Sequence, residues 1–308
     1  MLFRRRARLA RPAREALARV LRDPTFELVP LKNALDQAAH LPPGARVSVT
    51  ASPARGVEAT IALSEQLQTL GFRPVPHLSA RMIRDRAHLR DLVVWLEGAG
   101  VDRAFVVGGD EKEPGDFPDG LSLLREMAEI GHPLAEIGIP CYPQGHAFIP
   151  DGPLLEALHA KAAFAAYMTT QLCFDPGAIA TWLAARRAEG LSLSVHVGIP
   201  GVAEPQRLLA IAARIGVADT HRFLTKNIRF VARLVRQGGF YRPDGLLAGL
   251  APHVADPAAG IVDLHLYTFN AVDATEAWRG RYLAGLAEGG ALEQWETRSP
   301  VDRASRRR

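Results

Sequence analysis

Thr25-Phe26-Glu27-Leu28-Val29-Pro30 is a short apolar run with one carboxylate inside it and a proline closing it. Aromatic and β-branched residues in a run of this length, stopped by Pro, indicate a strand at Thr25–Val29. Comparable runs follow at Arg46–Thr50, Arg73–Leu78, Arg103–Val107, Glu136–Tyr142, Tyr167–Leu172, Ser192–Val197 and Val262–Thr268. Helix-period segments separate them, among them Val57–Leu70, Arg86–Ala99, Leu121–Ile130, Leu154–Ala163, Pro176–Glu189 and Pro205–Ile215. Strands alternating with helices pair in parallel through right-handed crossovers, and eight such units close more readily than they lie open. The fold class expected is therefore α/β, a single (βα)8 TIM barrel. Glu136–Tyr142, with Gly138 and Pro140 inside it, and Ser192–Val197, closed by Gly198, carry the strand pattern least cleanly. Residues 201–260 are longer than one helix needs, so extra helices, including Asn227–Arg236 and part of a lid, are expected between the seventh and eighth strands.

At 308 residues, 48% hydrophobic and 23% charged, the chain can bury a sizeable core. No apolar run approaches the roughly 18 residues of a transmembrane helix, so no membrane partner is expected. The net charge of +4 is concentrated at the ends. Residues 1–22 hold eight Arg against Glu15, and residues 298–308 hold five Arg against Asp302, which leaves 23–297 at −7 (4 − 7 − 4). A nucleic-acid binder needs a basic face on its folded body, and none is indicated. Only two cysteines are present, in no metal-ligand spacing, so a reducing, cytoplasmic setting is expected. The division expected is an Arg-rich N-terminal helix or arm at 1–23, whose 13–21 stretch closes the barrel floor. The barrel follows at 24–290, then an Arg-rich tail at 291–308. Nothing in the sequence fixes the oligomeric state.

Active sites of such barrels lie at the C-terminal mouth of the strands, and nearly every expected strand ends in a polar residue. These are Glu27, Thr50, His77, Asp110, Tyr142 with Gln144 and His146, Gln171, His196, and Tyr267 with Asn270. Dinucleotide, P-loop, metalloprotease and nucleophile-elbow signatures are all absent. The histidines show no metal-ligand spacing, so no metal is expected. Glu27 is either a solvated or Arg-paired carboxylate at a strand edge or a partly desolvated proton donor. His77 is either a satisfied core histidine beside Pro76 or a mouth residue, and Asn270 suits the N-cap of the following helix.

The fragments also come in a telling order. Phe26-Glu27-Leu28-Val29-Pro30, Ser48-Val49-Thr50, Pro76-His77-Leu78 and Gly109-Asp110 are followed by Cys141-Tyr142-Pro143-Gln144-Gly145-His146 and Lys161. Then come Thr170-Gln171-Leu172-Cys173-Phe174-Asp175, Val197-Gly198-Ile199-Pro200 and His265-Leu266-Tyr267-Thr268-Phe269-Asn270. Over about residues 24–275 this series resembles the methylenetetrahydrofolate reductase family. The resemblance implies reduction of 5,10-methylenetetrahydrofolate to 5-methyltetrahydrofolate by an NAD(P)H-dependent oxidoreductase. Glu27 would protonate N10 to open the ring to the N5-iminium, and Asp110 would contact the pterin and tune that acid. Gln171, Tyr267 and Thr50 would hold the folate. His77, Tyr142, His146, Lys161 and Thr50 would serve the cofactor. The partners implied are a reduced folate and a nicotinamide dinucleotide, NADH or NADPH.

Several family positions that serve FAD are altered. Gly108 stands where the family has Arg, Ala157 and Ala160 replace Asn and Arg, and Gln144 and Ala147 interrupt the Pro-Glu-x-His-Pro pattern. Losing two or three anchors worth roughly 1–3 kcal/mol each weakens a diphosphate site by orders of magnitude. The resemblance with these departures favours direct hydride transfer without flavin. The same reaction through bound FAD, and a folate-binding barrel without catalysis, remain as alternatives.

Overall fold

The computed structural model describes residues 4–7, 9–146, 148–204, 240–288 and 292–295. Its strands are β1 (Arg4–Ala7), β2 (Thr25–Leu28), β3 (Arg46–Val49), β4 (Arg73–Ser79), β5 (Arg103–Val107), β6 (Glu136–Cys141), β7 (Tyr167–Thr170), β8 (Ser194–Pro200), β9 (Ile261–Tyr267) and β10 (Leu292–Trp295). β2 to β9 form a closed parallel barrel in sequence order. The fold is a (βα)8 barrel, and each of the eight strands read from the sequence is one of its staves.

The helices are α1 (Arg11–Arg22), α2 (Ala34–Ala38), α3 (Gly56–Thr69), α4 (Arg86–Gly98), α5 (Gly120–Ile130), α6 (Asp151–Ala162), α7 (Pro176–Ala188), α8 (Asp244–Ala255) and α9 (Val272–Ala287). Local chemistry starts several of them. Asp85 accepts from the His88 N–H at the head of α4, Asp119 and Ser122 form a capping box on α5, and Asp175 accepts from Gly177 and Ala178 with Pro176 opening α7. Between β8 and β9 the extra α8 is seen. The expected helices Pro205–Ile215 and Asn227–Arg236 lie outside the described residues.

Strand residues alternate between two environments. On β2, Phe26 and Leu28 point outward into the apolar layer beneath the helices, while Thr25 and Glu27 point into the barrel, where they bond to β9. The interior is filled by rings. His77 lies 4.9 Å from Phe105, Phe105 6.4 Å from Tyr167, and Tyr167 stacks on His196 at 4.0 Å. Gly138 makes room for this plug, since a Cβ there would sit 2.3 Å from the Tyr167 ring. The glycine that blurred the Glu136–Tyr142 pattern is thus a packing requirement.

Helix α1 buries Ala13, Ala16, Leu17, Val20 and Leu21, a stripe at helical spacing, and packs against α8, α9 and β9. Arg279 of α9 donates to the Leu21 and Arg22 carbonyls, placing a cation at the end of α1 where the helix dipole favours it. The two Arg-rich ends meet: β1 pairs antiparallel with β10, Arg4 opposite Trp295. Cys141 and Cys173 are buried and form no disulfide. Among the described residues no helix is long and apolar enough to cross a membrane.

Candidate active site at the barrel mouth

Glu27 is one residue short of the C-terminal end of β2, opposite Ser48 of β3 and Tyr267 of β9. Its Oε2 lies 3.2 Å from Nε2 of His265, with side-chain exposures of 13% for Glu27 and 5% for His265. The carboxyl is therefore nearly enclosed but still reachable. The His265 ring lies 4.8 Å from that of Tyr267. The Tyr267 hydroxyl donates to the Thr170 carbonyl at 3.1 Å, and burial, then the nearby Glu27 charge, push that phenol far above its ordinary range.

The backbone around Glu27 is locked from β9. Thr268 donates its hydroxyl to the Glu27 carbonyl. The Asn270 amide accepts from the Val29 N–H at 2.8 Å and donates to the Val29 carbonyl at 2.9 Å. Phe269 and Asn270 both take the left-handed conformation, φ 52° and 55°, a strained pair outside glycine. Asn270 does not cap the following helix: Ala271 holds that position, and the Asn270 amide continues the β2 ladder instead.

His77 is buried, with Nε2 2.7 Å from the Ser48 hydroxyl. Burial, and then the His265 charge, lower it from 6.5 to about 3, so it is a neutral imidazole. Both readings of His77 meet here, since it is a satisfied interior histidine that also sits beside His265. Below, Asp263 accepts from the Thr25 hydroxyl at 3.1 Å and pairs with Arg46 at 2.9 Å. His196 Nδ1 lies 3.7 Å from Asp263 and is held near 3 by burial and by the Arg46 and His265 charges.

Other expected residues are placed as follows. Thr50 is half-buried at the end of β3, its carbonyl accepting from Thr60. Gln171 follows β7 and accepts from the Leu172 N–H. Tyr142 meets His146 edge to face at 5.2 Å, and burial pushes its phenol up to about 12 while lowering His146. Asp110 is exposed on the loop after β5, and its charge is felt at Tyr142 and His146. Among the described residues it makes no hydrogen bond or ion pair, so the expected tuning of Glu27 by Asp110 has no contact to carry it. Lys161 lines a cavity of about 470 Å³ between β6, α6 and α7, together with Cys141, Tyr142 and Trp182. Glu27, His77 and His265 do not line it, so Lys161 stands apart from the mouth cluster.

Sequence reasoning passed over His265, the partner of Glu27, although the signal was present. Asp263, His265 and Tyr267 alternate with Leu264 and Leu266, a period of two that puts all three on the barrel's inner face. Among the described residues no cluster of three or more His, Cys, Asp or Glu is placed to hold a metal ion.

No family model matches the chain. Solved structures that match include a class V chitinase mutant from Cycas revoluta in complex with (GlcNAc)3, at 9% identity and a TM-score of 0.46, over 86% of this chain and 99% of that one. A GH18 chitinase from Cycas revoluta in complex with (GlcNAc)3 matches over the same shares at 8% identity and a TM-score of 0.45.

These findings correct the expectation of folate reduction. The ordered fragments have no family-level match behind them, and a (βα)8 barrel hosts many unrelated chemistries, so the scaffold alone assigns no reaction. Methylenetetrahydrofolate reduction, the oxidoreductase class, and the folate and nicotinamide partners are withdrawn for this chain. At these identities and scores the likeness concerns fold alone and assigns no sugar chemistry either.

Proposed function

We propose that this barrel is an enzyme that transfers a proton between Glu27 and a small organic substrate bound at the C-terminal mouth. The observation that carries the proposal is the 3.2 Å contact between Glu27 and His265, both side chains largely buried near the C-terminal strand ends. A positioned carboxyl of this kind contributes on the order of 10²–10⁴ in rate to a reaction that needs a proton delivered or removed.

The neighbouring groups suit that task. His265 orients the carboxyl, the Thr268 and Asn270 bonds fix the backbone that bears it, and the ring plug beneath keeps water from the floor side. Thr50 at the end of β3 and Gln171 after β7 offer hydrogen bonds without net charge. That lining favours an uncharged, polar substrate with a nitrogen or oxygen atom that exchanges its proton with Glu27. The ordered fragments are consistent with common descent from a barrel shared with the methylenetetrahydrofolate reductases, and nothing of that family's reaction is carried over.

The test is a pool of small polar metabolites incubated with the protein in D2O and followed by mass spectrometry. A metabolite altered or deuterated by the native chain is then given to Glu27→Gln. A loss of about a hundredfold or more with binding retained in ligand-observed NMR supports the reading. Turnover unchanged in Glu27→Gln, or a pool that the native chain neither binds nor alters, overturns it.

A further inference from the structure

The β2–β9 register sets Thr25 opposite His265 and Glu27 opposite Tyr267. Thr25 in turn bonds to Asp263, two residues before His265. His265 therefore lies between two carboxyls along the barrel axis, Glu27 toward the mouth and Asp263 toward the floor. Asp263 is tied to Arg46 at 2.9 Å and faces His196 at 3.7 Å. We infer that the Arg46–Asp263 pair decides whether the proton shared by Glu27 and His265 rests on the carboxyl or on the imidazole.

This inference deepens the reading of Glu27 as the proton-handling group. The step is a transfer from His265 Nε2 to Glu27 Oε2. Imidazolium becomes imidazole, carboxylate becomes carboxylic acid, and the pair keeps zero net charge. The charges that weigh on it come from Arg46 on β3, from Asp263 on β9 and from the exposed Asp23 after α1, which also faces Arg46 at 3.6 Å. His77 on β4 and His196 on β8 are neutral, and the Tyr267 phenol keeps its proton.

An anionic Asp263 offsets Arg46 and supports an imidazolium beside it. A protonated Asp263 leaves Arg46 offset only by the exposed Asp23 carboxylate, 3.6 Å away, which disfavours the imidazolium and moves the proton up to Glu27. Burial pushes Asp263 up to about 6, against the pull of Arg46, so this change falls within a working pH range. Asp263 and Arg46 thus act as positioning residues through His265 and need not touch a substrate.

The test uses NMR of the full chain labelled in histidine, with the His265 signal assigned from His265→Gln. Asp263→Asn moves the His265 titration midpoint to lower pH by about half a unit or more. A midpoint that stays put or moves to higher pH overturns the inference. Should that variant fail to fold, Thr25→Val replaces it. Losing the hydroxyl that supports the Asp263 charge gives a smaller shift to lower pH, and no shift counts against the inference. The measurement needs no substrate, so a failed Glu27 turnover experiment leaves its result standing.

Discussion

The ring of Tyr267 lies directly over Gly198: a Cβ built there would sit 2.6 Å from Tyr267 Cε2 and 2.2 Å from the Thr170 carbonyl oxygen. Gly198→Ala therefore displaces the tyrosine that borders Glu27 and pushes on the β7 backbone. A loss of about 1–3 kcal/mol in urea unfolding is expected, as for overpacked interiors. A stability within a few tenths of the native value contradicts the packing described.

Asn270 supplies Val29 with both an acceptor and a donor. Asn270→Ala leaves the Val29 N–H without its partner, removes one of two donors from the Val29 carbonyl (the Leu31 N–H remains at 2.7 Å), and keeps a left-handed backbone that Ala tolerates poorly. The expected cost is about 1–3 kcal/mol, with faster amide hydrogen exchange at Val29 than at Val47, which lies in the interior of β3. Unchanged exchange at Val29 removes the latch from the account.

The interior histidines make stability depend on pH. His77 and His196 are each lowered from 6.5 to about 3. Between those values the unfolded chain takes up protons that the folded chain refuses, so their contribution is complete above 6.5 and is lost as pH falls toward 3. Asp263, raised from 3.8 to about 6, works the other way over its own interval. Two imidazoles outweigh one carboxyl, and denaturant midpoints should fall from pH 7 to pH 4. His77→Gln should flatten that decline, and a decline of unchanged steepness would count against a neutral, buried His77.

Lys161 lines its side cavity without a hydrogen bond or ion pair among the described residues, and burial lowers its ammonium. Lys161→Met keeps the stem's bulk and removes the desolvated charge. Stability at neutral pH should hold or rise by up to about 1 kcal/mol, whereas a marked loss would show that the ammonium has a role in the fold.

The barrel was legible because strand and helix periods alternate cleanly and because parallel pairing follows from that alternation. Strand ends shifted where tertiary packing governs. Ser192–Val197 was read too early by about two residues, since β8 begins at Ser194 and runs through Gly198 to Pro200 under the Tyr267 ring. The site was half legible. Glu27 stood out as a lone carboxylate in an apolar run, but its partner comes from the other end of the chain, 238 residues away. Strand order in a closed barrel, more than local pattern, brings the two together. The reaction was not legible, because ordered fragments name a scaffold and the chemistry depends on what the mouth holds.

The most direct measurement is infrared difference spectroscopy of the carboxyl band, comparing the native chain with Glu27→Gln and His265→Gln. The expected band is lost in Glu27→Gln, shifts when the imidazole partner is removed, and changes in intensity when a turned-over metabolite fills the mouth. A Glu27 band that ignores both His265→Gln and the bound metabolite overturns the pairing of Glu27 with His265 as the proton-handling unit.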